Sequence, residues 1–169
     1  KILLVQNKAL ELSLFLSFPA TLALLIGSEE IISALFGYGS FNETAVKNSA
    51  LALYYFSFGL PAFAFIKVFS SFFFANHDTK TPFYISFISV LLNVFISLYY
   101  FQTVGFTIIP IATSISSWFN AVLLFIYLKK RNLFSFNKYF IIRLFKISTV
   151  SLITCLFFKY LISSFENLL

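Results

Sequence analysis

Asn76-His77-Asp78-Thr79-Lys80-Thr81-Pro82 is a short polar break between two long apolar runs, residues 51–75 and 83–101. An apolar run of about 18 or more residues with few charges is typical of a transmembrane helix. Two such runs joined by a few polar residues predict a membrane helical hairpin. The break also contains the only Asp and the only His of the chain. It is therefore the first place to look for polar function.

Composition favours a membrane protein over a soluble one. Apolar residues make up 60% of the 169 residues and charged residues only 11%, whereas soluble domains carry roughly 25% charged residues. The net charge of +6 is spread over the ends of the apolar runs and forms no exposed basic face. We therefore exclude nucleic acid as a partner. Cys155 is the only cysteine, so no disulfide within the chain is possible.

Five apolar stretches predict an all-α, polytopic membrane helix bundle with about five transmembrane helices. We place the spans at residues 9–36, 51–75, 83–101, 106–128 and 140–162. Most cations fall on alternate connections, so the positive-inside rule puts residues 1–8, the 76–82 break and residues 129–143 in the cytoplasm. The sequence starts without Met or a signal peptide, and an odd number of spans would end outside the cell. We therefore expect a piece of a longer protein.

Several stretches resemble one family of transporters. The most specific is Lys67 within a span, followed by an aromatic-small pair and then the Asp-x-Lys-Thr-Pro pattern of Asp78 to Pro82. On these residues the chain resembles the MurJ (MviN) lipid II flippases, which belong to the multidrug/oligosaccharidyl-lipid/polysaccharide exporter superfamily. Weaker matches extend the resemblance over nearly the whole chain: Phe18-Pro19-Ala20, residues 35–41 and residues 50–60.

The resemblance implies a fold, a substrate and a location. The five spans would correspond to the ninth to thirteenth of the family's fourteen, in a C-terminal lobe whose N-terminal lobe is absent from this sequence. The implied activity is outward translocation of lipid II, or another lipid-linked glycan, across the bacterial inner membrane by alternating access of the two lobes. The main cations that bind the pyrophosphate would lie in the absent lobe. The last span would help to form a groove for the lipid tail.

Two other functions remain open. One is a different polysaccharide or drug exporter of the same superfamily, which should lack the Asp-x-Lys-Thr-Pro loop after an intramembrane Lys. The other is a non-transporting subunit of a membrane complex. A respiratory proton-pump subunit should carry Lys or Glu in several successive spans, and here only Lys67 and Lys146 could qualify.

Four residues are candidates for a substrate path or gate: Lys67, Asp78, Lys80 and Thr81. Lys67 lies about 12 Å from the cytoplasmic end of its predicted helix at 1.5 Å per residue, and a cation at that depth indicates a functional site. It could contact an anionic headgroup or pair with a carboxylate of the other lobe, and we expect it to point away from lipid. The alternative is that its side chain reaches back to the interface. For the loop residues the alternative is a solvated helix connection.

A possible cation site comprises Asn93, Ser97 and Thr113, because hard cations take oxygen ligands. No carboxylate is available in either span, and hydrogen bonding between helices is the alternative. Arg143 and Lys146 are expected to meet lipid headgroups. His77 beside Asp78 gives too few ligands for a metal site. No motif for covalent catalysis or cofactor binding occurs, so we predict neither an enzyme nor a cofactor.

Overall fold

The structure is a computed structural model that describes residues 2–39, 42–135 and 138–166, and all regular structure in these ranges is helical. The predicted all-α fold is confirmed. Ser40 and Phe41, in one of the stretches that resemble the family, and Phe136 and Asn137, in the connection predicted to face the cytoplasm, lie outside the described residues. The α-helices are α1 Ile2–Ile26, α2 Ser28–Phe36, α3 Glu43–Ser57, α4 Leu60–Ala75, α5 Lys80–Val104, α6 Ile108–Lys130 and α7 Lys138–Glu166. A 3₁₀ turn, Gly105–Thr107, lies between α5 and α6.

Three described segments are long and apolar enough to cross a membrane: Val5–Ile26, Lys80–Lys130 and Tyr139–Ile162. A fourth arises if α3 and α4, which meet at 44°, count as one bent span. The 51 residues of Lys80–Lys130 would measure about 76 Å as one rod, more than twice the roughly 30 Å of a hydrocarbon core. They contain α5 and α6, which fold back on each other, so the predicted number of about five holds.

Hydrogen bonds fix the relative directions of the helices. Asn93 bonds to Thr113, and Ser86, earlier in α5, bonds to Asn120, later in α6, so α5 and α6 are antiparallel. Contacts of α1 with α7 run the other way. Glu11 pairs with Arg143 in the first half of each helix, and Gly27, just after α1, lies against Phe158 in the last third of α7. These two helices are therefore parallel, as the predicted topology requires for the first and fifth spans.

Two predicted spans correspond to pairs of helices. The predicted 9–36 span is divided at Gly27 into α1 and the nine-residue α2, which leads into α3. The predicted 51–75 span is divided at Phe58 and Gly59, because Pro61 has no N–H to continue the α3 hydrogen bonds. Asn42 caps α3, accepting a hydrogen bond from the Ala45 N–H at 2.9 Å. Where each span enters and leaves the bilayer stays a prediction.

The helices pack in the spatial order α5, α6, α4, α1, α7, so α4 lies at the centre. The buried core gathers at the end of the bundle where the 76–82 break and the connection after α6 meet. Its largest side chains are Phe69, Phe72, Phe73, Phe134 and Phe140. Large apolar side chains on the outside of α5 and α7 are exposed. An apolar exterior around a small core is what helices solvated by hydrocarbon present.

Candidate functional site

A polar groove of about 360 Å³ lies between α4, α5 and α6. It forms because the polar stripe of α5 faces the polar stripe of α6, while Phe63 and Ile66 of α4 close one side. The side chain of Asn120 is buried, and its Oδ1 has no hydrogen-bond partner among the described residues. The other polar lining residues carry hydroxyl or amide groups: Ser86, Ser89, Asn93, Thr113, Ser116 and Ser117.

The structure brings together two of the three predicted cation ligands. Asn93 Nδ2 donates to Thr113 Oγ1 at 3.0 Å and to Ser116 Oγ at 3.3 Å. Ser97 lies one turn further along α5, and its buried Oγ has no partner among the described residues. No carboxylate lines the groove. Direct amide–hydroxyl bonds between α5 and α6 are what the helix-packing alternative expects, and the cation site stays a prediction.

Lys67 lies on α4, whose Phe63 and Ile66 line the polar groove. It follows Phe63 by four residues, so the two share a face of α4. Its side chain is exposed and forms no ion pair within the described part of the chain. Its backbone carbonyl accepts a hydrogen bond from Ser71 Oγ at 2.9 Å. The Lys67 ammonium is therefore available to a group outside these helices.

Two side chains of α6 brace the bend between α3 and α4. Ser114 Oγ donates to the Tyr55 carbonyl at 2.7 Å, and one turn later Trp118 Nε1 donates to the Phe58 carbonyl at 2.9 Å. A Cβ at Gly59 would lie 3.1 Å from Ser114 Oγ, so glycine permits this close approach. The bend and its brace were not predicted, although Pro61 was a signal for the bend.

The C-terminal ends of α4 and α6, which meet at the buried core, are closed by the same hydrogen-bond pattern. After α4, the His77 N–H donates to the Phe74 carbonyl and the Asp78 N–H to the Phe73 carbonyl, both at 3.0 Å. His77 has a φ of 56°, in the left-handed region. These features define a Schellman motif. The end of α6 repeats it with Asn132 in the left-handed position, at a φ of 55°.

Asp78 connects the start of α5 to the end of α6. Its carboxylate accepts hydrogen bonds from the Thr81 backbone N–H at 3.0 Å and the Thr81 hydroxyl at 2.7 Å, and it forms an ion pair with Arg131. Arg131 also donates to Thr81 Oγ1 at 3.1 Å. The Thr81 backbone bond, then its hydroxyl and Arg131, lower the pKa of Asp78 from 3.8 to about 2.

The predicted gate residues of the 76–82 break thus have different environments. Asp78 and Thr81 are held in one network, whereas the Lys80 side chain is exposed and joins no hydrogen bond or ion pair among the residues the structure describes. Arg131 was missed as a partner of Asp78. The available signal was that the only Asp and a Lys-Lys-Arg run lie on connections predicted to face the same side.

Comparison with known proteins gives one family. The family model described as "Lipid II flippase MurJ" matches residues 1–169. A "Probable lipid II flippase MurJ" of Rhizobium meliloti is 43% identical over 123 residues, which cover 72% of this chain and 23% of the relative. One of Rickettsia prowazekii is 36% identical over 128 residues, which cover 76% of this chain and 25% of the relative.

A solved structure shares the fold. The chain superposes on "Lipid II flippase MurJ, inward closed conformation" with a TM-score of 0.81 and 26% sequence identity, covering 92% of this chain and 32% of the other. The chain therefore spans about a quarter of the length of the two curated relatives and about a third of the solved one.

Proposed function

Because the chain belongs to the MurJ family, whose model matches residues 1–169, we propose that it is part of a lipid II flippase. It would form part of the C-terminal lobe and act with an N-terminal lobe to move a lipid-linked peptidoglycan precursor outward across the bacterial inner membrane. The match over the whole chain is the observation that carries this proposal. Moving a lipid makes and breaks no covalent bond, so the residues of the chain would bind and gate, not catalyse.

The mechanism we infer is alternating access, in which two lobes rock about a site near the middle of the bilayer. A rocking lobe must move as one unit. The Asp78–Arg131 ion pair and the shared Thr81 hydroxyl support such a unit, since they tie the α4–α5 connection to the end of α6. The network would hold one face of the lobe together while the lobes separate or close.

Lys67 is the residue we propose to face the other lobe. Its ammonium is exposed and is unpaired among the described residues. A cation within a membrane span needs an anionic partner or an aqueous path. The pyrophosphate of the substrate, or a carboxylate of the other lobe, would supply that partner in one of the two states of the transporter.

A complementation experiment tests the proposal. The complete open reading frame that encodes this chain is expressed in cells depleted of their own lipid II flippase, and the precursor in each leaflet is measured. We expect growth to be restored and lipid II to reach the outer leaflet. A protein that is abundant in the membrane but leaves lipid II in the inner leaflet would overturn the proposal, especially if an unrelated lipid-linked glycan is exported instead.

A further inference from the structure

A second groove, distinct from the polar groove, lies between α1 and α7 and has a volume of about 280 Å³. Four of its lining side chains are ionisable: Lys8, Glu11, Arg143 and Lys146. Three cations and one carboxylate give it a net charge of +2. The bundle thus has a cationic groove at the end that the positive-inside rule assigns to the cytoplasm.

The single carboxylate is already engaged. Arg143 Nη1 lies 2.7 Å from Glu11 Oε2, and the Glu11 side chain is 15% exposed whereas that of Arg143 is 60% exposed. Lys8 and Lys146 are exposed and form no ion pair within the described ranges. The Glu11–Arg143 pair therefore holds the groove together, while both lysine ammonium groups remain available to an anion.

The rest of the groove is apolar. Leu12 and Phe15 follow Lys8 by one and two turns of α1, and Ile147 follows Lys146 on α7. The side chains of Leu12 and Phe15 are more than half exposed. Because α1 and α7 are parallel, the groove passes from cations to apolar side chains in the direction that leads into the bilayer.

We propose that this groove binds an anionic phospholipid of the cytoplasmic leaflet. The phosphate would lie between Lys8 and Lys146, with the exposed guanidinium of Arg143 as a further donor, and an acyl chain would lie along Phe15 and Ile147. Basic pockets between transmembrane helices on the cytoplasmic side are suited to acidic headgroups. The apolar floor favours a lipid over a free phosphate ion. The proposal does not depend on which lipid the transporter moves.

Native mass spectrometry of the full-length protein tests the proposal. Phosphatidylglycerol, phosphatidylcholine and inorganic phosphate are titrated separately. The informative variant is Lys8→Gln with Lys146→Gln, because it keeps the Glu11–Arg143 pair. The matched control is Lys129→Gln with Lys130→Gln, which removes the same charge at the same end of the bundle but outside the groove.

We expect the groove variant to bind phosphatidylglycerol about tenfold more weakly and the control to bind it as the wild type does. Glu11→Gln should strengthen binding, since it removes the single negative charge of the groove while its amide oxygen can still accept a hydrogen bond from Arg143. Phosphatidylcholine should bind weakly to every protein, and inorganic phosphate should not compete. Equal losses in the groove variant and the control, no loss in either, or equal binding of both lipids would overturn the proposal. The proposal would also be overturned if other parts of the full-length chain cover the groove. In that case the thiol introduced by Lys146→Cys would not react with a soluble thiol reagent.

Discussion

Asp78 and Arg131 join two helix ends that are closed by the same hydrogen-bond pattern. Asp78 is the third residue beyond α4 and donates its N–H to the Phe73 carbonyl; Arg131 is the C-cap of α6 and lies over the Phe73 ring, 5.9 Å from its centroid. The ion pair between them links connections that are 53 residues apart in sequence. Both partners of the ion pair thus contact the fully buried Phe73, Asp78 at its carbonyl and Arg131 at its ring.

The Asp78 network predicts a graded loss of stability. Asp78→Ala removes the acceptor for the Thr81 N–H and the partner of Arg131, and we expect it to lower the free energy of unfolding by about 1–2 kcal/mol. Asp78→Asn keeps an oxygen acceptor and should cost less. Thermal unfolding of the purified full-length protein in detergent measures both. Equal stability of Asp78→Ala and wild type would contradict the network's role.

The lowered pKa of Asp78 gives the same network a pH dependence. Since folding lowers the pKa from 3.8 to about 2, the stabilisation is complete above about pH 4 and is lost as the pH falls towards 2. The difference in unfolding midpoint between wild type and Asp78→Asn should therefore shrink from pH 4 to pH 2. A difference that stays constant over this range would show that the charge of Asp78 does not matter.

His77 after α4 and Asn132 after α6 adopt the left-handed conformation, although both residues carry a Cβ. Such a conformation costs a residue other than glycine roughly 1 kcal/mol, and less for Asn, whose side chain tolerates it. His77→Gly should therefore raise the free energy of unfolding by about 1 kcal/mol, and Asn132→Gly by a smaller amount. His77→Ala is the control, since it removes the imidazole and keeps the Cβ. Stabilisation by Ala equal to that by Gly would mean that the imidazole, not the backbone, is the cause.

The sequence predicted the features that depend on local composition. Apolar runs indicated the helical fold, and the Asp-x-Lys-Thr-Pro loop after Lys67 pointed to the family that the comparisons confirm. The spacing of Ser86, Ser89 and Asn93, three and then four residues apart, is that of a single helix face, and this face lines the polar groove. It missed what depends on docking between distant segments. Whether Pro61 bends a span or ends it depends on Ser114 and Trp118, which bond to carbonyls 59 and 60 residues earlier in the chain. The partner of Asp78 likewise depends on how α6 ends.

The brace on the α3–α4 bend predicts a measurable cost when its donors are removed. Trp118→Phe keeps an aromatic ring but leaves the Phe58 carbonyl without the indole N–H, and Ser114→Ala does the same for the Tyr55 carbonyl. We expect each to destabilise the protein by about 1 kcal/mol, in the range of polar contacts between membrane helices. Phe119→Leu, at an exposed aromatic neighbour with no such bond, is the control. Equal effects of Trp118→Phe and Phe119→Leu would argue against the brace.

The bonds across the polar groove predict that Asn93 acts through helix packing. Asn93→Ala removes the donor to Thr113 and Ser116, so we expect a loss of about 1 kcal/mol in stability. Because no carboxylate lines the groove, the loss should be the same in sodium, potassium and calcium salts at equal ionic strength. Ser97→Ala, whose hydroxyl has no partner among the described residues, should have little effect. If a cation stabilises the wild type but neither variant, Asn93 and Ser97 belong to a cation site.

Lys67 should matter to transport more than to folding. Its ammonium contacts no acid within the described ranges, so Lys67→Ala should leave membrane abundance and thermal stability close to those of wild type. If the ammonium meets an anion during the transport cycle, Lys67→Ala should lower lipid II translocation at least tenfold, and Lys67→Arg, which keeps the charge, should restore part of it. Lys47→Ala, an exposed lysine on α3, is the matched control and should transport normally. The contrary result would be that the Lys67→Ala protein, present at normal abundance, supports normal growth of the flippase-depleted cells. It would mean that the side chain only reaches back to the interface, as long cationic side chains do when they have no polar partner at depth.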